Sequence, residues 1–145
     1  MKPWWQKLFD ASYLTIYDAT RDRTDDEVEF LEEVLDLAPD QRVLDMCCGF
    51  GRHAIALAHR DLKMMGVDFS NVLLREAKRH ARAAGVDVEW VQCDARHYRS
   101  RRRFHAAINM FTAFGYFESE DDDELVLKRM FDTLRPGGLV CVDTL

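Results

Sequence analysis

The stretch VLDMCCGFGRHAIALA, Val43 to Ala58, gathers two adjacent cysteines, two glycines two residues apart and a histidine. Thiols beside an imidazole raise metal or redox chemistry. Glycines at that spacing raise a loop that holds a small molecule. A metal centre needs ligands that converge. Cys47 and Cys48 are adjacent, point to opposite sides of an extended chain and belong to no C-x-x-C pair, so packing at a strand end is the reading for them and no metal ligand is assigned. Gly49 and Gly51 let the backbone turn tightly and approach a ligand closely. His53 reads as a helix N-terminal residue and not as a base. Two further acids stand out: Asp68, 17 residues past Gly51, and Asp94 in VQCDA.

The elements around these residues alternate. RVLDM, KMMGVD, VDVEWVQCD, FHAAINMF and GGLVCVDTL read as strands. HAIALAHR, the segment from Ser70 to Gly85 and SEDDDELVLKRMFDTLR read as helices. Ser70 caps the second of these and Gly85 closes it. Leu127, Met130, Phe131 and Leu134 form the apolar stripe of the third, whose acidic first turn suits the positive end of the helix dipole. LRPGG is a helix stop and a sharp turn before the fifth strand. Ahead of the first strand, TDDEVEFLEEVLDL is a helix with a capping-box pattern at Thr24 and Glu27, and Val28, Leu31, Val34 and Leu35 share its inner face. Residues 1–23 are an aromatic lead-in with Trp4, Trp5, Phe9, Tyr13 and Tyr17. Strands alternating with helices imply an α/β fold, a parallel sheet covered on both faces. Such sheets bind ligands at the carboxyl ends of their strands. Asp45 with the glycine loop, Asp68 and Asp94 follow the first, second and third strands there, a placement that suits a nucleoside-bearing ligand.

GFGRHA also matches the G-x-G-x-x-A fingerprint of nicotinamide and flavin dinucleotides. Asp45 opposes that reading, since a carboxylate at the end of the first strand repels a pyrophosphate. A ligand with a positive group and no phosphate fits better, and S-adenosyl-L-methionine carries an ammonium and a sulfonium.

VLDMCCGFG, GVDFS, VQCDA, FHAAINMF and LRPGG together resemble the motifs of class I S-adenosylmethionine-dependent methyltransferases, over about residues 40 to 145. The resemblance implies a Rossmann-like three-layer sandwich, a mainly parallel sheet of order 3-2-1-4-5 and a helical N-terminal lead-in. It implies one domain over 1–145, with a cap over 1–38 and a cofactor-binding core over 39–145 that lacks the family's last two strands. It implies roles as well. Asp45, Cys47, Gly49 and Gly51 sit by the amino-acid part of the cofactor. Asp68 holds the ribose hydroxyls and Phe69 flanks the adenine, whose amino group meets Asp94, with Ala95 nearby. Asn109, Met110 and Phe111 line the methyl-donor side, and Tyr13 and Tyr17 form a lid. No residue is assigned a catalytic role. The sequence departs from the family pattern at Cys47, which stands for the first glycine of the loop motif, at His105, where an aspartate is usual, and at Asp61, where a glycine usually closes the helix.

A net charge of −6 argues against a general nucleic-acid binder. The basic run RHYRSRRRFH reads as a solvated loop. Charges interrupt every apolar stretch, so no membrane span is expected. MKPWWQKLFD lacks the form of a signal peptide, which places the chain in the cytosol with Cys47, Cys48, Cys93 and Cys141 as free thiols. Three functions follow: methyl transfer to a small-molecule acceptor; a degenerate cofactor-binding domain without activity, paired as a homodimer or with a partner chain through an exposed fifth strand; and a nicotinamide-dependent oxidoreductase.

Overall fold

The computed structural model describes residues 1–17 and 23–144, with the side chain of Tyr17 outside that set. The order is α1 (Trp4–Leu8), α2 (Ala11–Tyr17), α3 (Thr24–Val34), β1 (Arg42–Met46), α4 (Arg52–Ala58), β2 (Lys63–Asp68), α5 (Asn71–Ala84), β3 (Val88–Gln92), β4 (Phe104–Asn109), α6 (Glu120–Asp132) and β5 (Leu134–Val142). The strands form one sheet in the order β3-β2-β1-β4-β5, and every pairing is parallel. The expected order is the one observed.

Alternation along the strands feeds two cores, because successive side chains leave opposite faces of a sheet. Val43, Met64, Ala106 and Ile108 meet Val28 and Leu31 of α3, Leu35 just past its end, and Ala54 and Leu57 of α4 on one face. Leu44, Met65, Val67 and Ala107 meet Val126 and Met130 of α6 on the other. Trp90 of β3 crosses the first face. A Cβ on Gly66 would lie 2.6 Å from its ring and one on Gly51 would lie 2.4 Å from it, so both glycines make room for the indole. The Ser70 hydroxyl accepts from the Leu73 N–H at 3.3 Å, and Gly85 ends α5 with a left-handed φ of 69°, as its cap residues predict.

Four local expectations fail. The capping box of α3 does not form: the cap position is Arg23, Thr24 is the first helical residue, and the Thr24 and Glu27 side chains are drawn to α4 instead. Val34 points to solvent while Val28, Leu31 and Leu35 are buried. On α6 it is Val126 and Met130 that are buried, with Phe131 turned outward. LRPGG does not precede β5 but lies inside it. Leu134 pairs with Phe104 and Leu139 with Ala106, so residues 135–138 bulge out opposite His105. Asp61, by contrast, adopts the backbone of the glycine it replaces, with φ 63°.

Candidate functional site

The first strand delivers Asp45 to the floor of a cleft at the carboxyl edge of the sheet. Its carboxyl is 1% exposed, and Oδ2 has no hydrogen-bond partner among the described residues. Burial raises its pKa to about 8, the charge of Asp68 adds to the rise, and Arg52 opposes it. The chain then turns through Cys47, Gly49 and Gly51, all with positive φ. At Cys47 (φ 62°) the backbone keeps the glycine conformation with a side chain attached. Burial pushes the thiols of Cys47 and Cys48 far up, which keeps them protonated.

Asp68 ends the second strand. Its Oδ2 accepts from the Gly49 N–H at 2.9 Å and its Oδ1 from the Ser70 N–H at 2.8 Å, so one carboxylate ties the loop to the start of α5. Burial still lifts it to about 6, against those two bonds. Asp94, after the third strand, differs. Burial raises its pKa, but the hydrogen bonds from the Arg96 side chain and backbone outweigh that and bring it below the usual range. Arg96 Nη2 lies 2.6 Å from Asp94 Oδ2, Nη1 lies 3.0 Å from Asp122 of α6, and the guanidinium sits 4.4 Å from the centre of the Phe117 ring. The basic run is therefore not wholly a solvated loop, since its first arginine is built into the site.

An aromatic cover closes the cleft. Trp5 meets Phe69 edge-on at 5.0 Å and Phe117 at 5.4 Å, and Phe9 meets Tyr116 at 5.2 Å and Tyr13 at 5.0 Å. The Ser70 hydroxyl donates to the Phe9 carbonyl at 2.8 Å, which fixes the lead-in to α5. After β4 the backbone turns left-handed at Phe111 (φ 59°) and Thr112 (φ 53°), a strained conformation for such residues. Asp143, just past β5, holds that turn. Its carboxylate accepts from the Phe111 N–H at 3.1 Å and its carbonyl from the Thr112 N–H at 3.1 Å.

The far wall is charged: Arg52 and His53 line it, and Glu27 backs them. Glu27 of α3 receives both Arg52 and, at 2.8 Å, His53 Nε2, while Arg52 Nη1 also donates to Thr24 at 3.1 Å. Burial raises the Glu27 pKa, but the bonds from His53 and Arg52 outweigh it and hold the carboxyl at about 2. Arg52 Nη2 is buried without a partner among the described residues, and its guanidinium lies 5.2 Å from the Phe111 ring centre.

Of the residues singled out in the sequence, Asp45, Cys47, Gly49, Asp68, Phe69, Asp94, Ala95, Met110, Phe111 and Tyr13 line this cleft. Asn109 and Gly51 do not. Asn109 is fully buried and donates to the Met46 carbonyl at 3.2 Å, joining β4 to β1, and Gly51 serves Trp90. Tyr17 lies outside the described side chains. Sequence reasoning gave no site role to Glu27, Arg52, Arg96, Asp143 or Phe117. Phe117 alone had a signal, the aromatic run NMFTAFGYF after the fourth strand.

A glycine loop, buried acids at two strand ends, a third acid beyond β3 and an aromatic cover surround a ligand-sized cleft at the carboxyl edge of a parallel 3-2-1-4-5 sheet, the place where α/β proteins of this kind bind their ligands. The chain belongs to the methyltransferase-domain family, which matches residues 43–138, and its fold is that of S-adenosylmethionine-dependent methyltransferases. The oxidoreductase reading is thereby corrected, since the glycine pattern it rested on lies within the matched span. The chain is 40% identical over 110 residues to a ubiquinone/menaquinone biosynthesis C-methyltransferase of Desulfotalea psychrophila, covering 71% of this chain and 41% of that one. It is 28% identical to a ubiquinone biosynthesis O-methyltransferase of Pseudomonas fluorescens, covering 98% of this chain and 57% of that one. A solved methyltransferase of Geobacter sulfurreducens, in complex with S-adenosyl-L-homocysteine, superposes with a TM-score of 0.68 at 26% identity over 81% of this chain and 47% of that one. The chain spans about half the length of the curated relatives it matches. Among the described residues no helix is long and apolar enough to cross a membrane.

Proposed function

We propose that the cleft binds S-adenosylmethionine and that the chain serves methyl transfer to a small-molecule acceptor, in the cytosol. The observation that carries this reading is the unpartnered, buried Asp45 oxygen beside a loop of close-approaching backbone. A cation is what such a carboxylate lacks, and the ammonium of the cofactor's amino-acid tail supplies one. Arg52 Nη2, also buried and unpartnered, suits the carboxylate of the same tail. Asp68 receives the ribose hydroxyls, Phe69 flanks the adenine, and Asp94 with Ala95 meets the adenine edge. Met110 and Phe111 line the side where the acceptor enters, and Tyr13 belongs to the cover. When bound, the cofactor supplies an activated methyl on sulfur with a good leaving group. The chain's own work is to align the acceptor with that methyl and to exclude water, which is how orientation lowers a barrier.

A second reading keeps the cofactor site but gives the chain a partner. β5 pairs with β4 alone, and Leu139 on it is 45% exposed, so its free edge invites a further strand from a second copy or another protein. Sedimentation at high concentration separates the two: a strictly monomeric chain removes this second reading.

Calorimetric titration with S-adenosylhomocysteine tests the site. Micromolar binding that is lost in Asp68→Ala is the expected result. A folded wild-type chain that takes up no ligand overturns the proposal.

A further inference from the structure

His53 is the second residue of α4 and is 5% exposed, yet it borders the cleft. Its Nε2 lies 2.8 Å from Glu27 Oε2. Glu27 stays ionised at any pH near neutrality, so it accepts a proton from that nitrogen and fixes the tautomer. The lone pair is then on Nδ1, which has no hydrogen-bond partner among the described residues. The charged groups around the ring are Glu27 from α3, Arg52 from its own helix and Asp143 from the end of β5. Burial lowers the His53 pKa, the Glu27 hydrogen bond opposes this, and the Arg52 charge lowers it further. The net effect is a neutral imidazole at physiological pH. Asp143 also holds the Phe111 turn, and His53 and Phe111 line the same cleft. Phe111 lines the side assigned above to the acceptor, and the cleft as a whole is aromatic, with Tyr116, Phe117 and Trp5 also among its lining residues.

We propose that His53, oriented by Glu27, is the general base that takes the proton from a hydroxyl on a planar aromatic acceptor. The inference rests on the cofactor reading above. The acceptor oxygen forms its bond to the methyl carbon as the carbon–sulfur bond breaks. That bond's electron pair remains on sulfur, which becomes a neutral thioether. The hydroxyl proton passes to Nδ1, and the resulting imidazolium is balanced by the Glu27 carboxylate. A phenol needs this help because its pKa near ~10 leaves little phenolate at neutral pH. The arrangement of base and orienting carboxylate has the geometry expected of an activated acid–base pair.

Two measurements on the whole chain test the proposal. Nitrogen NMR of isotope-labelled histidine, assigned with His53→Gln and recorded with S-adenosylhomocysteine present, reports the tautomer directly. A neutral His53 with its proton on Nε2 is expected at neutral pH, with the tautomer ratio disturbed in Glu27→Gln. A charged ring, or a proton on Nδ1, overturns the proposal. The second measurement follows radiolabelled S-adenosylmethionine with catechol, protocatechuate and caffeate as probes. His53→Gln is expected to slow transfer by about 10²–10⁴-fold at neutral pH, with the deficit shrinking as pH rises toward the ionisation of the phenol. Unchanged transfer in that variant overturns the base. No transfer by the wild type to any of the three overturns the acceptor class. A wild type that fails to bind S-adenosylhomocysteine strikes the cofactor reading instead.

Discussion

The floor and the far wall of the cleft carry the same kind of residue in opposite electrical states. On the floor, Asp45 and Asp68 are buried beside each other and rise to about 8 and about 6. On the wall, Glu27 is bonded to Arg52 and His53 and falls to about 2. Desolvation raises all three, so the difference lies in the partners. The wall has its cations built in, and among the described residues only Arg52 Nη2 is left open there. On the floor the charge of Arg52 does not outweigh burial, and on the reading proposed above a ligand's cation makes up that deficit. A buried carboxylate without a partner is costly to keep, which makes it a better pointer to a binding site than one already paired.

The largest expected effect comes from breaking the wall. Glu27→Ala leaves Arg52 and His53 facing each other in a buried setting. Unfolding in denaturant is expected to show a loss of about 3 kcal/mol, the low end for removing one partner of a buried pair, because Glu27 keeps some solvent contact. The wild-type contribution of Glu27 has a definite pH dependence. Its folded pKa is below the ordinary 4.5, so its stabilisation is present above that pH and lost as pH falls toward 2.

The floor is expected to respond with the opposite sign. Asp45 has a folded pKa above its ordinary 3.8, so the folded chain holds a proton that the unfolded chain has released. Stability from this group is therefore full below that value and declines as pH rises toward 8. Asp45→Asn is expected to raise stability by about 2 kcal/mol at alkaline pH and by little in acid, read from melting curves across pH. A variant less stable than wild type at alkaline pH would show that Asp45 already has a cation, and would erase the contrast with Glu27.

The same deficit gives ligand binding a proton signature. A cationic tail binds the ionised Asp45 best, so binding expels the proton that Asp45 carries below about 8. Affinity for S-adenosylhomocysteine is expected to rise with pH by up to about tenfold per unit and to level off above that value. Calorimetry in two buffers of different ionisation heat measures the release. Identical heats in both would mean that no proton leaves and that Asp45 is not the group receiving the ammonium.

The two regions were also unequally legible in the sequence. The floor is written locally. Strand, glycine loop and acid are neighbours in the chain, and parallel strands put their ends on one edge, so Asp45, Asp68 and Asp94 were readable by position alone. The wall depends on a contact between Glu27 and His53, 26 residues apart. Nothing in TDDE distinguishes a capping box from a pair of side chains recruited by another helix, and propensity favours the local option. The same conflict explains the LRPGG segment. Its turn chemistry is present, since Gly137 adopts φ 79°, but pairing of Leu134 with Phe104 draws the turn inside the strand as a bulge. Local signals fixed what each segment can do, and the sheet decided where it was done.

Cys47 sets the smallest and sharpest test of how tightly the floor is specified. Its φ of 62° places a side chain in a region that costs an L-residue about 1–2 kcal/mol. The thiol recovers part of that by packing against the core between β1 and α6. Cys47→Gly and Cys47→Ala both remove the thiol, and only the glycine also removes the backbone strain. The glycine variant is therefore expected to melt higher than the alanine variant, by a difference worth about 1 kcal/mol. Wild type falls between them if the packing of the thiol offsets only part of the strain. Equal stability of the two variants would mean that the loop shifts to relieve the alanine. A loop that can shift does not hold Gly49 against Asp68 by geometry alone, and S-adenosylhomocysteine would then be expected to bind the alanine variant as tightly as the glycine one. A loop that cannot shift keeps its shape at a cost in stability, which is the same bargain that Asp45 makes beneath it.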